Sequence, residues 1–278
     1  MSVSVSEQQL NEWFDSALCI ARKAGVVIRD ALHKEKSVET KISHADLVTE
    51  SDRAVEKMVM DFVSSKYPSH KFIGEESAVD GQPCKYTNDP TWIVDPIDGT
   101  TNFVHQIPEV SFSLGIAVNK QIVIGIVYVP EHEKMYTAKR GKGAFCNGEK
   151  ISVNKEDSLK DAVVICEGGN SRDPSVLKTK MRNMEAIISS SHGIRAYGSA
   201  AIDMCKVASG CCEAYSEYGI HCWDIAAGQI IVEEAGGVVM DPAGGNLDLM
   251  SRRVLCASTE SLAKQLSAIL THLDLQRD

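Results

Sequence analysis

Two aspartates, Asp95 and Asp98, flank Pro96 in the stretch WIVDPIDGTTNFVH (residues 92–105), which then runs into Gly99, Thr100 and Thr101. Trp92, Ile93 and Val94 read as a buried strand, so Asp95 emerges at its C-terminal end. Pro96 fixes a bend and removes an N–H, and Asp98 follows on the turn. Gly99 permits close backbone approach, and the N–H groups of Gly99, Thr100 and Thr101 would open a helical turn of the kind that suits a phosphate. Two carboxylates about 4 Å apart near a protein surface repel by on the order of 4 kcal/mol. A divalent cation offsets that repulsion, and oxygen-only ligands suit Mg2+ or Mn2+. A strand-ending turn with solvated aspartates would use the same residues, and this stretch alone does not separate the two readings.

Two other places add acids at the ends of apolar elements. FIGEES sends an apolar strand into Glu75 and Glu76, and IHCWDIAAG places Asp224 behind Trp223 at a helix start. Taken singly, these read as a strand-end glutamate and an ordinary N-cap. Taken together with Asp95 and Asp98 they point to one pocket, provided the fold brings these ends to the same place.

The elements that would do so are legible from periodicity. Ser6 and Gln9 form a capping-box pattern ahead of an amphipathic helix carrying Leu10, Trp13, Phe14, Ala17, Leu18, Ala21, Ala24, Ile28, Ala31 and Leu32 inward. A second helix opens at Thr49 with Asp52 at the reach-back position and stops before Pro68. KFIGEES and TWIVDP read as short buried strands, and VSFSLGIAV, QIVIGIVYV and KMYTAKRG as β-rich runs, the first two joined tightly at Asn119-Lys120. Asp161 to Cys166 reads as another strand, Asp224 as the cap of the apolar helix IAAGQIIVEEA ending at Gly236-Gly237, RVLCAS as a late strand and ESLAKQLSAILTHL as a final helix. The expected organisation is one unit over residues 1–278, with an N-terminal α+β half to about residue 153 and a C-terminal α/β half from about residue 154. Sheets covered by helices are the natural packing.

The 278 residues are 44% hydrophobic, enough for a substantial core, and a net charge of −9 argues against non-specific nucleic-acid binding. No segment has the apolar length of a membrane span, and MSVSVSEQQLNEW lacks the basic start and apolar block of a secretory leader. The nine cysteines form no C-x-x-C pair; Cys19, Cys166 and Cys205 sit in apolar contexts and read as reduced core residues of a cytoplasmic protein. GKGAFCNG lacks the G-K-[ST] of a P-loop and reads as a β-turn region. Cys211-Cys212 reads as part of a buried strand, His221 as a supporting or core residue, and Lys34-Glu35-Lys36 as a solvated helix end.

GEES, WIVDPIDGTTNFVH and EYGIHCWDIAAGQIIVEEAGG, with KISHADLVTESD and RAYGSAAIDMCKVASG, resemble segments of the inositol monophosphatase family. The resemblance implies an α/β fold built as a five-layer α-β-α-β-α sandwich, shared with fructose bisphosphatases, in a homodimer. It implies a lithium-sensitive phosphomonoesterase that uses two to three Mg2+ ions, with Mn2+ as a substitute, to hydrolyse myo-inositol monophosphates by direct attack of a metal-activated water. By matching position, Glu75, Asp95 and the Ile97 carbonyl would hold one ion, and Asp95, Asp98 and Asp224 a second; Glu75 would help hold a third through waters. Thr100 with Asp52 would activate the water together with Glu75, and Lys41 would lie near the site. Gly99 and Thr100 would hold the phosphate, with Asp98, Gly198, Ala200, Glu217 and Asp224 on the substrate. Asn170 stands where close relatives often carry serine, a departure that bears on ring selectivity.

Other chemistries fit less well. An aspartyl-phosphate route needs D-x-D-x-T near the N-terminus, whereas here the aspartates are three apart around a proline. A calcium-sensing, cation-binding module would need alternating ligands and a terminal glutamate, which DPIDGTTNFVHQ lacks. Within the same fold, galactose 1-phosphate, a nucleotide 3′-phosphate or fructose 1,6-bisphosphate are alternative substrates.

Overall fold

The computed structural model describes residues 3–40, 47–82 and 84–278, so Lys41 lies outside the described residues. The chain opens with α1 (Glu7–Leu32), a ribbon of β1 (Val38–Thr40) and β2 (Leu47–Thr49), and α2 (Glu50–Lys66). The Ser6 side chain accepts from Gln9 N and starts α1 as its sequence pattern predicts. Thr49 starts α2, with Asp52 reaching back to Thr49 N at 2.9 Å.

A seven-stranded sheet follows, built from β3 (Lys71–Gly74), β4 (Thr91–Asp98), β5 (Ser111–Val118), β6 (Gln121–Val129), β7 (Lys134–Lys139), β8 (Ala144–Cys146) and β9 (Glu149–Ile151), paired in sequence order. β3 and β4 run parallel and the later pairs antiparallel. Short helices α3 (Glu75–Val79) and α4 (Thr100–Val104) leave the C-terminal ends of β3 and β4. β4 does not stop at Pro96: it continues to Asp98, and its pairing with β5 shifts between Asp95 and Asp98. GKGAFCNG, expected as turn, holds the short strand β8 between left-handed residues at Gly143 and Asn147.

The chain then passes to a second sheet. Its elements are β10 (Val163–Cys166), α5 (Pro174–Ser190), β11 (Gly193–Arg195), α6 (Ala200–Ala208), β12 (Ala214–Tyr218), α7 (Cys222–Glu234), β13 (Val238–Met240), β14 (Arg253–Ala257) and α8 (Glu260–Ile269). The strand order is β11-β10-β12-β14-β13; β10 is parallel to β11 and β12, and β14 is antiparallel to β12 and β13. The strand expected to begin at Asp161 begins at Val163, because Leu159–Asp161 winds into a short 3-10 turn.

Strand alternation distributes side chains between three cores. Trp92 and Val94 on β4, with Leu114, Ile116, Ile124 and Ile126, pack under α1 and α2. Ile93 faces the other way, into a core shared with α6, α7 and the inner face of the second sheet at Ile165, Tyr215 and Val254. The outer face of that sheet, Val164, Ala214 and Leu255, packs on Ile187 of α5 and on Leu262 and Leu266 of α8. The result is the expected sandwich of helices, sheet, helices, sheet, helices. α7 is apolar around its circumference because it is enclosed by both sheets. Its contact with β5 is tight enough that a Cβ on Gly115 would fall 2.8 Å from the Ala226 Cβ.

The nine cysteines are all free. Cys166, Cys205, Cys212, Cys222 and Cys256 are buried, but Cys19 is exposed on the outer side of α1, against expectation, because Ile20 and Ala21 take the inward positions. Cys211 is exposed and precedes β12, so the Cys211-Cys212 pair is a bend and not a buried strand. Lys36 is not simply solvated: its Nζ donates to Leu32 O at 2.6 Å and lies 4.7 Å from the Phe103 ring centre. Among the described residues no helix is long and apolar enough to cross a membrane.

Candidate active site

The ends of β3, β4, α6 and α7 meet around a cavity of about 490 Å3 lined by Glu75, Asp95, Ile97, Asp98, Gly99 and Thr100. Asn170, Gly198, Ala200, Glu217 and Asp224 line the same cavity. The acids singled out in the sequence therefore converge. Asp95, Asp98 and Asp224 each offer an oxygen, and these oxygens lie within 4.8 Å of one another.

Each acid is delivered by a distinct local device. Asp95 is 2% exposed at the irregularity of β4, where its Oδ1 accepts from Ile97 N at 3.0 Å. Asp98 sits one bend later; its Oδ2 accepts from the Ser199 hydroxyl at 2.6 Å and from Ala201 N at 2.7 Å. Asp224 is not the N-cap of α7 as its position before an apolar run suggests. The helix begins earlier, His221 is the N-cap, and Asp224 Oδ2 reaches back to His221 N at 2.7 Å. Glu75 opens α3, whose start is fixed by the buried Glu56 of α2, accepting from Glu76 N at 2.7 Å and Ser77 N at 2.8 Å.

Thr100 follows Gly99, which adopts a left-handed conformation with φ 89° and packs so closely that a Cβ would fall 3.0 Å from Glu109 O. That combination admits only glycine without strain. The Thr100 hydroxyl is 3.1 Å from Ile97 O and 3.5 Å from Asp52 Oδ1. Asp52 is fully buried, and its other oxygen is held by Thr49 N at 2.9 Å and the Thr49 hydroxyl at 2.5 Å. Asp52 thus caps α2 with one oxygen and presents the other to Thr100.

The electrostatics are those of crowded, poorly hydrated acids. Burial pushes the Asp95 carboxyl well above the usual range, and Glu75, Asp98 and Asp224 push it further. Burial raises Asp98 to about 6, opposed by the Ser199 and Ala201 hydrogen bonds. Asp224 is raised by loss of water and by Asp98 and Glu75, with the His221 N–H opposing. Carboxylates that resist ionising next to one another are a fitting receptor for a divalent cation, which cancels the repulsion. Burial raises Glu217 to about 7 while Lys180 pulls it down. Its Oε2 accepts from the Tyr215 hydroxyl at 2.6 Å.

Two lining residues, Glu167 and Ser199, and the buried Asp203 of α6 join the site without a sequence pattern that assigns them to it. Glu167 ends the apolar strand β10, the same signal that marks Glu75; its Oε1 holds Tyr197 N at 2.6 Å and Gly198 N at 2.9 Å. Ser199, the N-cap of α6, was legible as a cap ahead of an apolar run but not as a partner of Asp98. Asp203 is fully buried, with neither carboxylate oxygen hydrogen-bonded among the described residues, and burial holds its carboxyl well above the usual range.

A layered sandwich with such an acid cluster at the strand and helix ends is the build of a metal-dependent enzyme. The sequence model of the inositol monophosphatase family matches residues 9–274. Inositol monophosphatase 1 of Mus musculus is 50% identical, over 96% of this chain and 97% of its own. Inositol monophosphatase 2 of Homo sapiens is 46% identical, over 96% of this chain and 93% of its own. Among solved structures, the extragenic suppressor protein suhB from Bartonella henselae superposes with a TM-score of 0.83 at 32% identity, covering 92% of this chain and 96% of that one. The chain belongs to the inositol monophosphatase family.

Proposed function

We propose that the protein is a phosphomonoesterase that hydrolyses myo-inositol monophosphates to myo-inositol and phosphate with Mg2+. The observation that supports it most is the convergence of Asp95, Asp98 and Asp224 in a cavity that Glu217, Asn170 and Gly198 also line. Relatives that bear the inositol monophosphatase name over nearly their whole length support the choice of substrate.

In this reading Glu75, Asp95 and the Ile97 carbonyl would hold one ion, Asp95, Asp98 and Asp224 would hold a second, and Glu75 would help hold a third through waters. Bound Mg2+, or Mn2+ in its place, supplies a water of lowered pKa and neutralises phosphate charge. The chain's own residues do the rest. Thr100 donates to Asp52, which leaves an oxygen lone pair free to orient the attacking water, and Glu75 accepts its proton. The N–H groups of Gly99 and Thr100 hold phosphate oxygens as charge redistributes. Asp98, Gly198, Ala200, Glu217 and Asp224 position the substrate, and Asn170 offers an amide to a ring hydroxyl. Lithium inhibition, a homodimer and a cytoplasmic location follow from the same family reading.

A phosphate-release panel tests it. With Mg2+, inositol 1-phosphate should turn over faster than galactose 1-phosphate, a nucleotide 3′-phosphate or fructose 1,6-bisphosphate, and chelator and lithium should each suppress release. Release that ignores chelator would refute the chemistry, and a preference for another member of the panel would refute the substrate.

A further inference from the structure

Behind the first turn of α7, outside the cavity lining, lies a carboxylate that no part of the reaction uses. Asp278 has a side chain only 3% exposed, and it is 57 positions from His221 in sequence. Its Oδ2 accepts from Cys222 N at 2.8 Å, the first N–H of α7, which has no partner within the helix. Its Oδ1 lies 2.6 Å from His221 Nδ1. The other ring nitrogen, Nε2, lies 3.1 Å from Arg252 Nη2. A guanidinium can only donate, so Nε2 must accept and Nδ1 must carry the proton that goes to Asp278. The imidazole is also stacked on Trp223, with ring centres 4.5 Å apart and planes 6° from parallel.

Both ends of this bracket are anchored. Asp278 N donates to Met250 O at 3.1 Å, and the Arg252 carbonyl accepts from Gly219 N at 2.9 Å. Arg252 itself adopts a left-handed conformation, φ 60°, a strained choice for a residue with a side chain. The backbone that Asp278 grips is the same backbone that Asp224 caps, since His221 N donates to Asp224 Oδ2 at 2.7 Å.

We infer that Asp278 is a positioning residue for the metal-binding face: by fixing the His221 tautomer and the first turn of α7, it sets where Asp224 meets Asp95 and Asp98. The inference rests on the reading of Asp224 as a metal ligand. Outer partners of ligand side chains typically govern metal affinity by 10–100-fold. Asp278 holds the His221–Cys222 backbone and not Asp224 itself, so Asp278→Ala should weaken binding by about 10-fold, the low end of that range, while leaving turnover at saturating metal close to normal. Asp278→Asn keeps an acceptor for Cys222 N but turns an N–H toward the His221 ring, so it should also bind metal less tightly.

The test is Mn2+ titration calorimetry on the full chain and both variants, with kcat and KM at rising Mg2+ alongside. Weaker Mn2+ binding in both folded variants, with kcat restored at high Mg2+, is the expected result. Equal Mn2+ affinity in all three proteins overturns the role of Asp278 and leaves the site reading intact. No Mn2+ binding by the unaltered protein overturns the site reading, and this inference with it. Nitrogen NMR of His221 in the unaltered protein guards against a variant that fails to fold: a proton on Nδ1 is expected, and one on Nε2 overturns the bracket.

Discussion

The Ser199 hydroxyl donates to Asp98 Oδ2 at 2.6 Å across 101 residues of sequence, tying α6 to the end of β4. Ala201 N donates to the same oxygen at 2.7 Å, so the other oxygen of Asp98 is left to the acid cluster. This asymmetry makes Asp98 a residue at which stability and function oppose one another.

An Asp98→Asn variant keeps an acceptor for Ser199 and Ala201 and turns an N–H toward Asp95 and Asp224. In metal-free protein this removes repulsion. Asp98 titrates at about 6 when folded against an ordinary 3.8, so the native state holds its proton more tightly than the unfolded chain. The stabilisation it gives is complete below about pH 4 and is lost as pH rises through about 6. Thermal melts with chelator should show the unaltered protein losing stability over that interval, and Asp98→Asn melting several degrees higher at pH 8, at roughly 2–4 °C per kcal/mol. Metal-dependent phosphate release by the same variant should fall at least about 100-fold. An unchanged melting temperature would remove repulsion from the account.

Thr100 and Asp52 separate chemistry from capping. Thr100→Val removes the hydroxyl that lies 3.1 Å from Ile97 O and 3.5 Å from Asp52 Oδ1, while keeping its shape. Its kcat should fall by about 10²-fold, the usual cost of a misplaced reacting group, with KM and melting temperature little changed. Asp52→Asn keeps an acceptor for Thr49 N and turns an N–H toward Thr100, so it should lose activity similarly with little change in melting, whereas Asp52→Ala should also melt lower, because the capping of Thr49 N contributes about 1 kcal/mol. Steady-state kinetics with melts on these variants decide it; a Thr100→Val enzyme with normal kcat would contradict the role of the pair.

Glu217 gives a pH signature. Its carboxyl sits at about 7, raised by burial and pulled down by Lys180, whose Nζ donates to Gly168 O at 3.0 Å. Replacing that cation in Lys180→Met should move the Glu217 titration upward. A neutral acid is the poorer acceptor for a ring hydroxyl, so KM for inositol 1-phosphate should rise roughly 3–10-fold at pH 7 and recover by pH 9. Lys180→Arg should behave as the unaltered protein. A KM that shifts equally at both pH values would mean the loop at Gly168, not the charge, is responsible.

The sequence was most readable where a device is local. Asp95 and Asp98 share one segment with the strand that presents them, and Glu75 announces itself at the end of an apolar run. Capping at Ser6 and Thr49 is a pattern of neighbours and was legible for that reason. Glu167 carries the same signal as Glu75, an acid directly after an apolar strand. The irregularity that extends β4 to Asp98 depends on pairing with β5, and the exposure of Cys19 on which face of α1 meets the sheet. Ser199 and Asp278 act on partners 101 and 57 positions away, and neither carries a local pattern that names its partner. Asp224 was found for its place at a helix start, but the helix starts at Cys222, a boundary that the His221–Asp224 hydrogen bond sets.

Asp95, Asp98 and Asp224, with Glu75, are expected to receive divalent ions. Anomalous diffraction from crystals soaked in Mn2+ measures this most directly. Two strong peaks are predicted, one between Asp95, Asp98 and Asp224 and one between Glu75, Asp95 and the Ile97 carbonyl. Bound Mn2+ found only elsewhere on the protein, with these carboxylates bare, would contradict the account.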